Sequence, residues 1–131
     1  METKNLIRYG KVSAVYPERA TARVVYDDKQ NMVSAELPIL QPACLQSRFY
    51  SLPRVGDNVV TLSYPNGEDG AGCIIGSFYS EVNKPPTTDG NKLMVNISDK
   101  LIIAFDESKS ELEITCAGNI KIKGRRIYLN E

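Results

Sequence analysis

The stretch that decides the fold is the segment from Asn91 to Glu131, which runs NKLMVNISDKLIIAFDESKSELEITCAGNIKIKGRRIYLNE. Short apolar-polar alternations follow one another in this segment, with only tight turns between them. Period-two alternation is typical of half-buried strands. The segment therefore predicts five short strands, at Lys92–Ile97, Leu101–Asp106, Glu111–Cys116, Asn119–Lys123 and Arg125–Leu129.

The third of these predicted strands shows the alternation most clearly. Leu112, Ile114 and Cys116 fall on one face, and two glutamates and Thr115 fall on the other. The fourth and fifth strands repeat the pattern, with apolar positions at Ile120, Ile122, Ile127 and Leu129. Below roughly 40 residues a chain seldom buries a core without disulfides, a metal or association. The sequence therefore predicts that another surface covers this strand ladder.

Upstream of residue 83 the pattern is also all-β. Five strands are predicted, at Arg8–Tyr16, Thr21–Tyr26, Met32–Leu37, Asp57–Tyr64 and Gly72–Ser80. A polar hairpin loop is expected at 27–31, an irregular crossing at 41–52 and a tight turn at 65–70. No helical stripe is present. Five strands with a long excursion favour a Greek-key barrel of the OB type, although a barrel of six or seven strands fits the pattern nearly as well.

The boundary between the two parts is the run Asn-Lys-Pro-Pro-Thr-Thr-Asp-Gly at 83–90. Two prolines cannot continue a central strand, so this run is predicted to be a linker. The expected organisation is therefore a barrel at 1–82, a linker at 83–90 and a strand ladder at 91–131.

Composition excludes several classes of function. Of the 131 residues, 42% are hydrophobic, and 16 basic residues balance 16 acidic ones, so no net field attracts nucleic acid or a membrane. The absence of His removes the commonest general base and metal ligand.

The N-terminus lacks a signal-peptide core, and no apolar run reaches 18 residues. Cys44, Cys73 and Cys116 are predicted to be buried free thiols made in a reducing cytosol.

Four residue sets have side chains that could form a site, and each favours a structural interpretation. The basic run Lys121, Lys123, Arg125 and Arg126 is predicted to form a solvated face. The aromatics Tyr9, Tyr16, Tyr26, Phe49, Tyr50, Tyr64, Phe78 and Tyr79 are predicted to lie in the barrel core or in a collar interface rather than to stack bases. The acidic pairs at 27–28, 68–69 and 106–107 fit turns better than a calcium site. No His or GxSxG elbow activates Ser47, Ser51, Ser77 or Ser80, so no enzyme, cofactor or metal is expected.

Five motifs in the first part carry a resemblance to a known family. They are Arg8-Tyr9-Gly10-Lys11-Val12, Ala22-Arg23-Val24, Leu37-Pro38-Ile39-Leu40, the run from Leu52 to Val59, and the run from Gly72 to Ser80. In this order and spacing the chain resembles the phage baseplate assembly protein V family, the central spike of contractile tails. That family is similar to the spikes of type VI secretion and tailocins. On this resemblance, Gly10, Pro38, Pro53, Gly56 and Gly76 are expected to shape the barrel and its turns.

The resemblance implies a homotrimer in which three OB barrels form a collar and three tails wind into a β-prism. The expected trimer interface comprises Leu101, Ile103, Phe105, Leu112, Ile114, Ile120, Ile122, Ile127 and Leu129. Implied partners are baseplate and tail-tube proteins, with membrane contact only during puncture and no nucleic acid. The implied location is the tail particle, after synthesis in the bacterial cytoplasm. Longer spikes of the family end in a His-x-His iron apex, which this chain lacks, so a separate tip protein is expected.

A second hypothesis from a different class remains open on the residues alone. It is a monomeric OB-fold module for an oligonucleotide or oligosaccharide, with the tail folded back onto the barrel. The two hypotheses differ in oligomeric mass, because the hub must be a trimer and the module need not be.

Overall fold

Hydrogen-bonded strands are the regular structure of the described chain. The structure, a computed structural model, describes residues 6–26, 32–64 and 71–130. Within those ranges there is no helix, and the strands form two antiparallel sheets, which confirms the all-β prediction. The chain divides into two compact units, Met1–Lys84 and Pro85–Glu131. The hairpin loop predicted at 27–31, the turn at 65–70 and their acidic pairs lie outside the described residues.

The strands of the first unit pair in a closed circuit. They are β1 (Ile7–Tyr16), β2 (Thr21–Tyr26), β3 (Met32–Val33), β4 (Leu37–Pro38), β5 (Asn58–Ser63) and β6 (Gly72–Ser77). The sheet order is β3-β2-β1-β5-β6, and β4 pairs with the start of β2. Just beyond β4, Ile39 forms a parallel bridge to Ile74 of β6, and the Leu40 N–H donates to the Ile74 carbonyl at 3.1 Å. Pairing therefore runs from β1 through β2, β4, β6 and β5 back to β1.

The inward positions of these strands form one core. In β2 the buried and half-buried positions alternate, so one face of the strand points inward. The buried cluster consists of Val12, Ala22, Val24, Tyr26, Leu37, Val59 and Ile74. Because the cluster draws on five strands, the first unit has its own hydrophobic core.

Contacts between the side chains of Arg8, Tyr26 and Thr61 cross this core. The Tyr26 hydroxyl lies 3.0 Å from Oγ1 of the buried Thr61, and the guanidinium of Arg8 lies 3.6 Å from the centre of the Tyr26 ring. Buried hydroxyls need partners, because an unpaired one costs about 1–3 kcal/mol. Tyr26 and Thr61 satisfy each other and tie β2 to β5.

The third predicted strand, Met32–Leu37, is interrupted, and in this respect the prediction was wrong. The Ser34 hydroxyl accepts a hydrogen bond from the Val24 N–H at 2.9 Å, while the Ser34 N–H donates to the Val24 carbonyl at 2.8 Å. A side chain thus takes a place in the β2 ladder that a backbone carbonyl would otherwise fill. The strand divides at this point into β3 and β4.

An ion pair braces the segment beside this interruption. The Arg19 Nε donates to Glu36 Oε1 at 2.5 Å, and the Thr21 hydroxyl donates to the same carboxylate. The hydrogen bond from Arg19, followed by that from Thr21, holds the pKa of Glu36 below its usual range. These contacts connect the turn after β1 to the entry of β4.

Two predictions about burial need correction. All three cysteines are free and Cys73 is buried, but Cys44 is exposed and Cys116 is only half-buried. Cys44 lies in the irregular crossing at 41–52, whose side chains stand outside the core. Of the eight aromatics, Tyr26 is the one in the buried cluster. Tyr9 and Tyr79 are 64% and 62% exposed because they point away from the interior, so the core alternative is wrong for them and the collar-interface alternative stays a prediction.

Gly10 of β1 occupies a place where a side chain has no room. A Cβ added there would lie 2.5 Å from Cγ1 of Val24 and 2.6 Å from the Val25 carbonyl oxygen. Gly10→Ala is expected to lower the free energy of unfolding by about 1–3 kcal/mol, because packed cores tolerate little extra volume. Gly76→Ala in β6 is the matched control, since its Cβ would meet no atom within 4 Å. Denaturant unfolding of the full chain measures both, and equal midpoints for the two variants would contradict the steric explanation.

The second unit contains three strands in simple meander order. They are β7 (Lys92–Ile97), β8 (Leu101–Asp106) and β9 (Glu111–Cys116), and their bounds confirm the first three strands predicted in the tail. The two further strands predicted at Asn119–Lys123 and Arg125–Leu129 are not strands in the single chain. A strand needs a neighbour for its backbone N–H and C=O groups, and this chain offers them none among its described residues.

Candidate interaction surface

The three-stranded sheet has one face that is apolar at every position. Directly opposite residues of antiparallel strands share a face, and the register places Val95 opposite Ile103 and Ile103 opposite Ile114. The residues on this side are Leu93, Val95, Ile97, Leu101, Ile103, Phe105, Leu112, Ile114 and Cys116. We call these nine residues the apolar face.

The apolar face is open to solvent in the single chain. Leu93 is 78% exposed, Leu112 61% and Ile114 53%. None of residues 85–130 is buried, so the second unit has no core of its own. Contiguous exposed apolar surface on a soluble protein marks an interaction site. This face is therefore the candidate functional site.

Turn chemistry holds the register that makes the face apolar. Ser98 and Asp99 have φ values of 52° and 57° and are the central residues of a turn that the Lys100 N–H closes by donating to the Ile97 carbonyl at 2.9 Å. The Asn96 side chain accepts from the Asp99 N–H at 3.0 Å and donates to the Asp99 carboxylate at 3.0 Å. A slip of one residue would turn every apolar side chain to the other side, so these contacts protect the face.

The second turn of the meander is fixed by Asp106. Its carboxylate accepts hydrogen bonds from the Ser108 hydroxyl at 2.6 Å and from the Ser108 N–H at 3.0 Å. The hydroxyl bond lowers the pKa of Asp106 most, so the carboxylate stays ionised in its acceptor role. The acidic pair at 106–107 thus serves the turn between β8 and β9, in line with its predicted structural use.

Beyond Ala117, residues 118–130 leave the sheet without strand pairing. The Ala117 N–H donates to the Lys100 carbonyl at 2.8 Å and extends the pairing of β8 with β9 by one residue. Beyond it, four apolar side chains of the predicted interface are at least half exposed: Ile120, Ile122, Ile127 and Leu129. We call residues 117–130 the open tail.

The structure brings five of the nine predicted interface residues together on the apolar face: Leu101, Ile103, Phe105, Leu112 and Ile114. The other four lie in the open tail, and the interface role of all nine stays a prediction. Sequence reasoning missed Leu93, Val95 and Ile97, which complete the face from β7. The alternation of these three with Lys92 and Asn96 could have revealed them, but Met94 on the polar side obscured it.

The opposite face of the sheet is mixed in charge. A shallow cavity of about 80 Å³ on it is lined by Lys92, Ala104, Asp106, Lys109, Glu111 and Glu113. No group of three or more His, Cys, Asp or Glu among the described residues is placed to hold a metal ion. The same face also carries Met94, Ile102 and Ala104, so it is mixed in polarity as well as in charge.

The first unit has a smaller apolar surface on the outer side of β1 and β5. Ile7 lies opposite Leu62 and both are exposed, and the Tyr9 ring meets the Phe78 ring edge-on with 5.8 Å between ring centres. Aromatic side chains of this kind are enriched at protein interfaces. The first unit therefore also has surface available for contacts.

Comparison of the sequence with models of known protein families and with curated proteins finds no match. Among the described residues, no helix is long and apolar enough to span a membrane. The fold and the site define an all-β protein with one closed strand circuit and one three-stranded sheet whose apolar face is uncovered.

Proposed function

We propose that this protein is the trimeric central hub, or spike base, of a contractile phage tail or a related injection apparatus. The observation that carries the proposal is the apolar face, to which each of three strands contributes three side chains, together with the open tail. A sheet with one fully apolar and uncovered side is stable in water only when that side is packed against another surface. Further copies of the same sheet provide a surface of matching chemistry.

The first unit supports the same proposal. Its strand circuit, closed by the bridge between Ile39 and Ile74, is compatible with a Greek-key barrel of the OB type. The family motifs fall on this circuit, with Gly10 in β1 and Gly76 in β6. In the proposed trimer three such barrels form the collar that docks in the centre of the baseplate.

The proposed mechanism is mechanical. Three apolar faces pack around a common axis, and the open tails add strands between chains to make a short β-prism. Axial load is then shared by backbone hydrogen bonds and by apolar contacts of all three chains, so no single chain carries it alone. The collar would transmit the thrust of contraction to the prism through baseplate and tail-tube partners.

Native mass spectrometry of the full chain tests the proposal. The expected species is a trimer of about 43.5 kDa, three times the 14.5 kDa of one chain. The trimer is expected to persist at high salt, because apolar burial rather than charge holds it together. A stable monomer would overturn the proposal. If that monomer also bound single-stranded DNA in a salt-sensitive way, the OB binding module would be favoured instead.

A further inference from the structure

We infer that the free edge of β9 pairs with residues 119–123 from the open tail of a second copy of this chain. The inference rests on the proposed trimer and names which strands meet in it. It would make the tail of each chain the fourth strand of its neighbour's sheet.

The edge of β9 is open and is patterned in both polarity and charge. Among the described residues β9 pairs with β8 alone. Leu112 and Ile114 lie on the apolar face, while Glu111 and Glu113 lie on the opposite face. An incoming strand would therefore meet apolar side chains on one side and carboxylates on the other.

The open tail carries the complementary pattern. Ile120 and Ile122 alternate with Lys121 and Lys123, so its apolar positions are flanked by positive charges. Placed beside β9, the tail extends the apolar face by two isoleucines and sets two lysines beside two glutamates. Cross-strand pairs of opposite charge stabilise a sheet, whereas like charges directly opposite destabilise it.

Charge also distinguishes the two edges of the sheet. The other edge strand, β7, presents Lys92, Met94 and Asn96 on its polar side. There the tail lysines would meet a positive charge and no carboxylate. The β9 edge is thus the better match for the tail.

The tail does not fold back on its own sheet in the described chain. Only two residues, Ala117 and Gly118, separate β9 from Asn119. A two-residue hairpin turn there would set Lys121 opposite Ile114, which brings a charge onto the apolar face. A three-residue turn, the length found between Ile97 and Leu101, would keep the isoleucines on that face but set Lys121 opposite Thr115, so that only Lys123 would meet a glutamate. A strand from a second copy can adopt the register that sets Ile120 opposite Ile114 and both lysines opposite glutamates.

Charge reversal and its compensation test the inference. In the full chain, Glu111→Lys/Glu113→Lys and Lys121→Glu/Lys123→Glu are made separately and together. Each double variant is expected to raise the concentration at which half of the chains are trimeric by at least about tenfold at low salt. The fourfold variant is expected to return that concentration to within about threefold of the original. Native mass spectrometry over a concentration series gives the measurement.

The control is Lys100→Glu/Lys109→Glu, whose two lysines lie in the turns of the sheet. It changes the net charge by the same amount as Lys121→Glu/Lys123→Glu and is expected to leave the trimer intact. Double variants that assemble like the original chain, or a fourfold variant no better than either double, would overturn the inference while leaving the trimer standing. The double variants could instead lower the thermal stability and leave unchanged the concentration at which half of the chains are trimeric. That result would indicate that the tail pairs with β9 of its own chain, and it would overturn the inference as well. An original chain that is monomeric would overturn the proposed function and, with it, this inference.

Discussion

Ile114→Asp is expected to abolish trimer formation while leaving the first unit folded and soluble. Ile114 lies on the apolar face, in line with Ile103 and Val95 across the three strands. In the proposed trimer a carboxylate at this position would be taken out of water without a partner, which costs several kcal/mol per chain. Three chains incur that cost in each trimer. Size-exclusion chromatography with light scattering is expected to give the mass of a monomer.

Thr115→Asp is the matched control for this experiment. It adds the same charge one position along β9, on the polar side of the sheet, where Thr115 is exposed. This variant is expected to remain trimeric. Full trimer formation by the double variant Ile114→Asp/Ile122→Asp would contradict the assignment of the apolar face as the interface.

Removal of residues 91–131 is expected to convert the trimer to a folded monomer. All seven residues of the buried cluster lie in the first unit, so that unit retains its core. Residues 85–130 contain no buried side chain, so their own contribution to stability comes from association. The truncated chain is therefore expected to unfold cooperatively at a denaturant midpoint that does not vary with protein concentration, whereas the midpoint of the full chain rises with concentration.

Native mass and denaturant unfolding, measured on both chains at several concentrations, give this comparison. A truncated chain that remains trimeric would place the principal interface in the first unit, where Ile7, Tyr9 and Phe78 are exposed. A truncated chain without cooperative unfolding would show that the fold of the first unit depends on residues 91–131.

Much of the strand content could be predicted because alternation is a local property. The strand from Glu111 to Cys116 was predicted with the bounds that the structure gives, since each apolar residue is followed by a polar one. The irregular character of 41–52 followed from the lack of any such pattern. Gly56 was expected at a turn and adopts a φ of 100°, which favours glycine.

Other features could not be predicted, because they depend on contacts between residues far apart in the chain. The division of the third strand requires the Ser34 hydroxyl to meet the Val24 N–H. The exposure of Tyr9 depends on which side of β1 faces the core, and that of Cys44 depends on the path of the irregular crossing outside the core. The predicted strands in the open tail failed in the single chain for a related reason, since alternation shows that a segment can be a strand but not that a partner is present.

The sequence by itself determined that the protein is all-β, where most strands lie, and which side chains of each strand share a face. Those properties follow from the two-residue repeat of an extended backbone and from the turns that interrupt it. Only the tertiary structure decided that the apolar sides of β7, β8 and β9 coincide in one uncovered face. Strand order and register are set by hydrogen bonds between separate segments and by the turns that align them, so the composition of a whole face appears only when the strands are side by side.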